Sequence, residues 1–262
     1  MSSRSRFVPA LILVLASLLG LVAFLSPFWQ VSVQQGGAIA AAHGSDSLLM
    51  LVLLSTLALA AVIANLQTGQ MSSKTLAVLG ALAAVGAMLR FIPGPAGFSA
   101  IFFLPILAGY AFGAQFGFLT GVITLLASAF LTGGVGPWLP YQMFASGWVG
   151  AAAGLLPHPR LNSRSELLML SAAGFAMGLL YGAVMNLWFW PFVFRPELAA
   201  QYWRPGTGIF ETLRRYALFY VVTSLFWDVW RGLGNAALLL LFGAPVLRLL
   251  RRYEQRFRFV VG

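Results

Sequence analysis

The chain has 262 residues, of which 60% are hydrophobic and 8% charged, and its mean hydropathy is +0.87. A soluble domain could not keep that much apolar side chain out of water, so composition points to an integral membrane protein. The net charge of +10 would suggest nucleic acid in a soluble protein but here is read as orientation in a bilayer, with no nucleic-acid partner; the lack of cysteine excludes disulfides, thiolate metal sites and cysteine nucleophiles.

A spanning helix needs roughly 20 apolar residues. Candidates lie near 7–27, 48–66, 75–92, 99–113, 115–132, 139–156, 166–190 and 217–247, the fourth short for a full crossing. The runs lack period-2 alternation and are too long for barrel strands, so they are read as helices that satisfy their own backbone groups in lipid. With the amino end inside, the inner links carry Arg4, Arg6, Lys74, Arg160, Arg164, Arg248, Arg251, Arg252, Arg256 and Arg258, ten of the sixteen Lys and Arg. Both termini are therefore expected in the cytoplasm. Arg90, Arg195, Arg204, Arg214, Arg215 and Arg231 remain, five of them in or beside outer links.

The first run is read as an uncleaved helix and not a signal peptide, because it is long and the small-residue cluster AIAAAH lies well beyond it. The polar link LQTGQMSSK then separates two accessory helices (1–70) from a larger membrane module with a basic tail (71–262). The third run, TLAVLGALAAVGAML, places Ala77, Ala81 and Ala84 on one side, with Gly80, Ala83 and Ala87 overlapping it. Small residues at this spacing let helix backbones approach closely, either within the chain or against another membrane subunit.

Between the fifth and sixth runs, LTGGVGPWLPYQ concentrates turn-forming and aromatic residues. Glycines supply backbone freedom, Pro140 is tolerated near a helix start, and Trp138, Tyr141 and Gln142 are candidates to face a ligand; an interfacial turn with an anchoring tryptophan is the other reading. The seventh run ends YGAVMNLWFWPFVF. Its aromatics suit an interfacial belt, whereas Asn186 is a buried amide needing partners and Trp190 lies on the same flank. In the last run, SLFWDVWRGLGNA sets Ser224, Trp227, Asp228, Arg231 and Asn235 at spacings of three and four. Asp228 and Arg231 could form a structural ion pair or hold a ligand group, with Asn235 as a further contact.

His43 and His158 are the only histidines and fall in links on opposite sides, so no metal or haem site is expected. No cofactor is implied. No phosphate-loop motif occurs, so the chain is not expected to be an enzyme with its own ATPase site.

The module resembles the substrate-binding S component of energy-coupling factor (ECF) transporters, the vitamin importers of prokaryotes. The small-residue helix Ala77–Ala87, the segments FLPILAGYAFGAQFGFLTG and GGVGPWLPYQMFASGWVGAAAG, and the terminal DVWRGLGNA carry the likeness from Lys74 to Leu249. It departs from the family pattern in the two helices before residue 70 and in the long outer segment from Phe194 to Tyr216. The resemblance implies an all-α polytopic fold: a six-helix S-component-like bundle with an outward-opening pocket, here behind two accessory transmembrane helices. It also implies partners, a T-component membrane subunit and two cytoplasmic ABC-type ATPases, with import by toppling against the T subunit. Docking on that subunit is carried to Ala77, Ala81 and Ala84. The substrate-binding set is Trp138, Tyr141, Gln142, Asn186, Trp190, Trp227, Asp228, Arg231 and Asn235. The tryptophan-rich outer side, with Arg195, Arg204, Arg214 and Arg215, suits an aromatic or corrinoid vitamin, a corrinoid ranking slightly ahead of a pyrimidine or flavin. The alternative is an ion-coupled secondary transporter, for which Asp228 alone qualifies as an intramembrane relay.

Overall fold

The computed structural model describes residues 3–29, 44–69, 71–92, 94–95, 98–158, 163–194 and 196–258. His43, Arg160 and Arg195 lie outside these residues. The described chain is all α-helical: α1 (Ser3–Leu25), α2 (Gly44–Gln67), α3 (Ser73–Leu89), α4 (Phe103–Phe112), α5 (Ala114–Thr132), α6 (Leu139–Gly154), α7 (Ser163–Phe189), α8 (Ile209–Thr223) and α9 (Leu225–Arg258), joined by short 3-10 turns. Five segments, 10–29, 47–67, 114–132, 164–192 and 225–255, are long and apolar enough to cross a membrane, and α3 and the stretch 100–112 are shorter apolar helices. The protein is an all-α polytopic membrane protein.

Local chemistry sets these boundaries. Ser72 caps α3, its hydroxyl accepting the Thr75 amide at 3.2 Å, a standard way to satisfy a helix's first free N–H. Gly113, at φ +98°, turns the chain between α4 and α5 without an intervening loop. α4 is buried along Phe103–Tyr110, as befits a helix apolar on all sides. Its ten residues rise about 15 Å, half the hydrocarbon thickness. The shortness expected at 99–113 thus belongs to a helix enclosed by its neighbours.

Two helix pairs are held by glycine. In α5 and α6, a Cβ added at Gly117 would fall on the Gly150 backbone, one at Gly121 on the Ser146 carbonyl, and one at Gly154 on the Ala114 backbone. In α7 and α9, Gly174, Gly178 and Gly182, each four residues apart, face Leu239, Gly232 and Asp228. This is small-residue packing of the kind that lets membrane helices meet backbone to backbone.

α1 packs on this bundle. Phe24 of α1 meets Tyr141 edge-on at 5.0 Å and Trp148 at 5.8 Å, and the Trp148 indole N–H donates to the Ser17 hydroxyl at 3.2 Å. Gly20 gives the room: any side chain there would meet the rings of Phe144 and Trp148.

The last expected span, 217–247, differs from the expectation. It belongs to two helices that meet at Ser224, where φ is −125°. Backbone hydrogen bonds still run from Ser224 N–H to Tyr220 and from Asp228 N–H to Ser224. The Thr223 hydroxyl donates back to the Phe219 carbonyl at 2.7 Å, the type of Ser/Thr back-bonding that bends helices. The result is a kink, with α8 continuing α9 alongside α7.

Candidate functional site

The link between α5 and α6 begins with Gly133 in the left-handed region at φ +66°, closing α5 as its C-cap, while the Gly134 amide bonds back to the Ala129 carbonyl. Pro140 stands in the first turn of α6, where its missing N–H leaves nothing unpaired. Trp138 precedes that turn. Its ring folds back over Gly136, which has no side chain to obstruct it, and meets Trp188 of α7 edge-on at 6.5 Å. Tyr141, buried at 2% exposure, packs between Phe24 and Trp188. The Gln142 side-chain oxygen is buried with no hydrogen-bond partner among the described residues. Link, α1 and α7 therefore share one aromatic layer.

Beneath this layer, α7 and α9 enclose a line of polar groups. The Asn186 amide donates to the Ser224 hydroxyl at 2.7 Å, tying α7 to the kink. Asp228, 2% exposed, accepts from the Arg231 guanidinium, which also lies over the Tyr181 ring at 5.3 Å. The carboxylate packs directly on the backbone of Gly182, so the space it occupies exists because α7 has a glycine there. Its Oδ2 is buried without a hydrogen bond of ordinary length, the Tyr220 hydroxyl standing nearby. About two turns beyond Asp228, Asn235 donates to the Gly174 carbonyl at 3.2 Å and leaves its buried oxygen unpaired. Counting from Glu166 to Gly182 at 1.5 Å per residue puts the ion pair about 24 Å along α7. Ionisable groups within a membrane-spanning helix face a partner or a polar cavity.

Two residues of the expected set lie elsewhere. Trp190 is 1% exposed and enclosed by the segment that follows it: its indole N–H donates to the Gln201 carbonyl at 2.9 Å, among Phe28, Tyr216 and Phe219. It anchors a cap and presents no face to the polar line. Trp227 is 53% exposed beside Phe226 on the outward side of α9. One position from Asp228 is a turn of about 100°, enough to carry it off the enclosed face.

The arginines expected on the outer side are also engaged. Arg214 and Arg215 both hold Glu211, at 2.8 and 2.7 Å, and Arg215 further donates to the Ala199 and Tyr202 carbonyls. The Arg214 hydrogen bond and charge pull the Glu211 carboxyl down to about 2. Arg204 lies over the Phe194 ring at 5.8 Å.

At the opposite end of the bundle, Glu166 accepts the Tyr110 hydroxyl at 2.8 Å and both terminal nitrogens of Arg251. His158 stacks on the Tyr110 ring with centroids 4.4 Å apart and pairs with the Tyr110 carbonyl. Four elements are joined there. On α3, Ala77, Ala81 and Ala84 are all exposed on the side opposite Leu79, Ala83, Gly86 and Ala87, which are buried.

Three features join the site that the sequence did not assign to it. The four-residue spacing of Gly174, Gly178 and Gly182 was its own signal. Tyr181 is central to the polar line, with Phe102 packed on its ring at 4.6 Å. Arg90, at the end of α3, turns inward and donates to the Ser128 hydroxyl of α5 at 2.8 Å. Beside Tyr181 an apolar recess of about 220 Å³ opens between α6 and α7, walled by Trp148, Val149, Met177, Leu180 and Val184. No cluster of three metal-binding side chains occurs among the described residues.

Comparison with known proteins bears on this arrangement directly. The family model for the ECF transporter substrate-specific component matches residues 74–243, well over half of the chain, from the start of α3 through the part of α9 that carries Asp228, Arg231 and Asn235. No curated protein and no solved structure gives a match. The chain belongs to the ECF transporter substrate-specific component family, and is a transporter subunit of a multi-pass membrane protein class.

Proposed function

We propose that this subunit captures a vitamin or related micronutrient at the end of the bundle where α3, α5 and α7 finish, turned to the outside of a prokaryotic cell membrane with both termini in the cytoplasm. Residues 71–262 form the substrate-binding module and residues 1–70 the accessory pair. One observation carries the reading: buried Asn186, Asp228 and Asn235, with half-buried Arg231, lie on α7 and α9 in a membrane helix bundle beneath an aromatic layer that includes Trp138 and Tyr141. Aromatic walls with a few fixed polar groups suit a flat or bulky organic ligand. Gln142, with its unpaired buried oxygen, is a further contact.

Release inward would then follow from toppling against a T subunit driven by two cytoplasmic ABC-type ATPases. The exposed face of Ala77, Ala81 and Ala84 supports docking there, since small side chains allow a second helix to come close. The test is tryptophan fluorescence of the detergent-purified chain titrated with vitamins and corrinoids, in wild type and in Trp138→Phe. Saturable quenching at about 1 µM ligand or below, weakened in the variant, is expected. No response to any ligand would remove vitamin capture and turn attention to ion-coupled transport through Asp228.

A further inference from the structure

Among the described side chains, charge near the proposed pocket does not balance. The chain has six acidic residues. Glu166 holds Arg251, Glu211 holds Arg214 and Arg215, and Asp228 holds Arg231. Glu197 is exposed in the 196–201 turn and Glu254 lies in the basic tail beside Arg251. Asp46, at the start of α2, is the sixth. No described carboxylate is left for Arg90.

Its position makes that imbalance informative. An arginine at the end of a membrane helix ordinarily extends to water, keeping its head group hydrated. The Arg90 guanidinium instead reaches inward to Ser128, which is 0% exposed, whose own hydroxyl donates to the Leu125 carbonyl, and which lies one turn below the end of α5. Ser128 is its one hydrogen-bond partner among the described residues, and a hydroxyl offers no counter-charge. The Arg231 guanidinium lies over the Tyr181 ring at 5.3 Å with Asp228 as its counter-charge, and the Arg90 charge acts on the hydroxyl of that tyrosine from α3. An arginine partly withdrawn from water is costly unless an anion meets it, and its planar fork matches a carboxylate.

We propose that Arg90 binds a carboxylate on the substrate, so that the captured molecule is an organic acid and not a neutral or cationic vitamin. The inference rests on the capture function above and names the substrate class for that site. It also shifts anion recognition from the outer arginines, which are engaged elsewhere, to a residue at the end of the small-residue helix.

The experiment compares matched acids and neutral analogues on the full-length chain: biotin with biotin amide, pantothenate with pantothenol and nicotinate with nicotinamide, alongside riboflavin, thiamine and cobalamin. Binding is followed by tryptophan fluorescence in wild type, Arg90→Gln and Arg90→Lys. One acid should bind about 10- to 100-fold tighter than its neutral analogue, the range for a charge-assisted hydrogen bond. Arg90→Gln should erase that ratio by weakening the acid far more than its neutral analogue, and Arg90→Lys should retain part of it. A fold defect would weaken both members of a pair together, and the wild-type ratio needs no variant at all. Equal binding of an acid and its analogue, or tightest binding of a neutral or cationic vitamin, would overturn the inference and leave vitamin capture standing. Binding of none of these ligands would overturn both.

Discussion

If α7 and α9 are held together by backbone contact, the smallest side chain at their crossing should separate them. A Cβ at Gly178 would lie 2.8 Å from both the Cα and the N of Gly232 and 3.3 Å from the Arg231 carbonyl carbon. Carbon contacts are comfortable at about 3.5–4.0 Å, so the helices would have to part locally by roughly 0.7–1.2 Å. All three atoms are backbone, and no rotamer change can absorb the shift. Overpacking of this kind costs about 1–3 kcal/mol, against a helix-propensity gain for alanine of about 1 kcal/mol. Gly178→Ala should therefore lose up to about 2 kcal/mol net. Gly80→Ala is the matched control: a Cβ there meets nothing within 4 Å, so only the propensity gain remains. Thermal unfolding of the purified proteins in detergent should place Gly178→Ala below wild type and Gly80→Ala at or above it. Equal stability of the two variants would refute backbone-level packing between α7 and α9.

The Asp228–Arg231 pair should behave as a unit: Asp228→Asn or Arg231→Gln alone should destabilise by about 2–4 kcal/mol by stranding the other charge, with the double variant less destabilised than the sum. Independent, additive losses in the same unfolding assay would count against a coupled pair. At the other end, Arg251 is 39% exposed, so Glu166→Gln should cost only about 1 kcal/mol, because solvent screens the pair and the Tyr110 hydroxyl can still donate to the amide. A loss several times larger would mean the cluster bears more of the fold than its exposure allows. Ala81→Leu should leave stability within about 0.5 kcal/mol of wild type, since that side chain points outward, yet reduce co-purification with a co-expressed T subunit and its ATPases. Undiminished co-purification would move the docking surface off this face.

Much of the architecture could be read from residues because bilayer physics is restrictive. Apolar run lengths marked the helices, and glycine and proline marked the α5–α6 link, where Gly133 takes its left-handed cap and Pro140 its place in the first turn. The limits are equally physical. In a soluble protein an apolar side chain signals the interior, but in lipid Trp227 on the outside and Tyr141 on the inside are the same kind of residue. The α9 face was traced through Ser224 as though the helix were unbroken, and a kink alters the phase on which such a trace depends. Trp190 looked available because the residues that enclose it, Gln201 through Trp203, come from a segment with no periodicity to place it. Arg90 stood out least, since one arginine at a span's end is what the aqueous boundary ordinarily selects; only its hydrogen bond to buried Ser128 distinguishes it.

The two glycine-lined crossings divide the freedom of the bundle unevenly. Where backbone rests on backbone, as along α5 and α6 and where Gly178 meets Gly232 between α7 and α9, few rotamers can be exchanged, so the paired helices resist sliding past one another. The boundary between α6 and α7 is different: side chains of Trp148, Met177 and Leu180 fill it incompletely around a 220 Å³ recess, and rotamers there can change without opening a helix pair. The α6–α7 boundary is therefore a seam where shape change meets less resistance than at the glycine crossings. Because the native sequence contains no cysteine, a pair introduced at Ala145 and Val184 would give the only thiols in the molecule, and bridging them would report on that seam with no background to subtract.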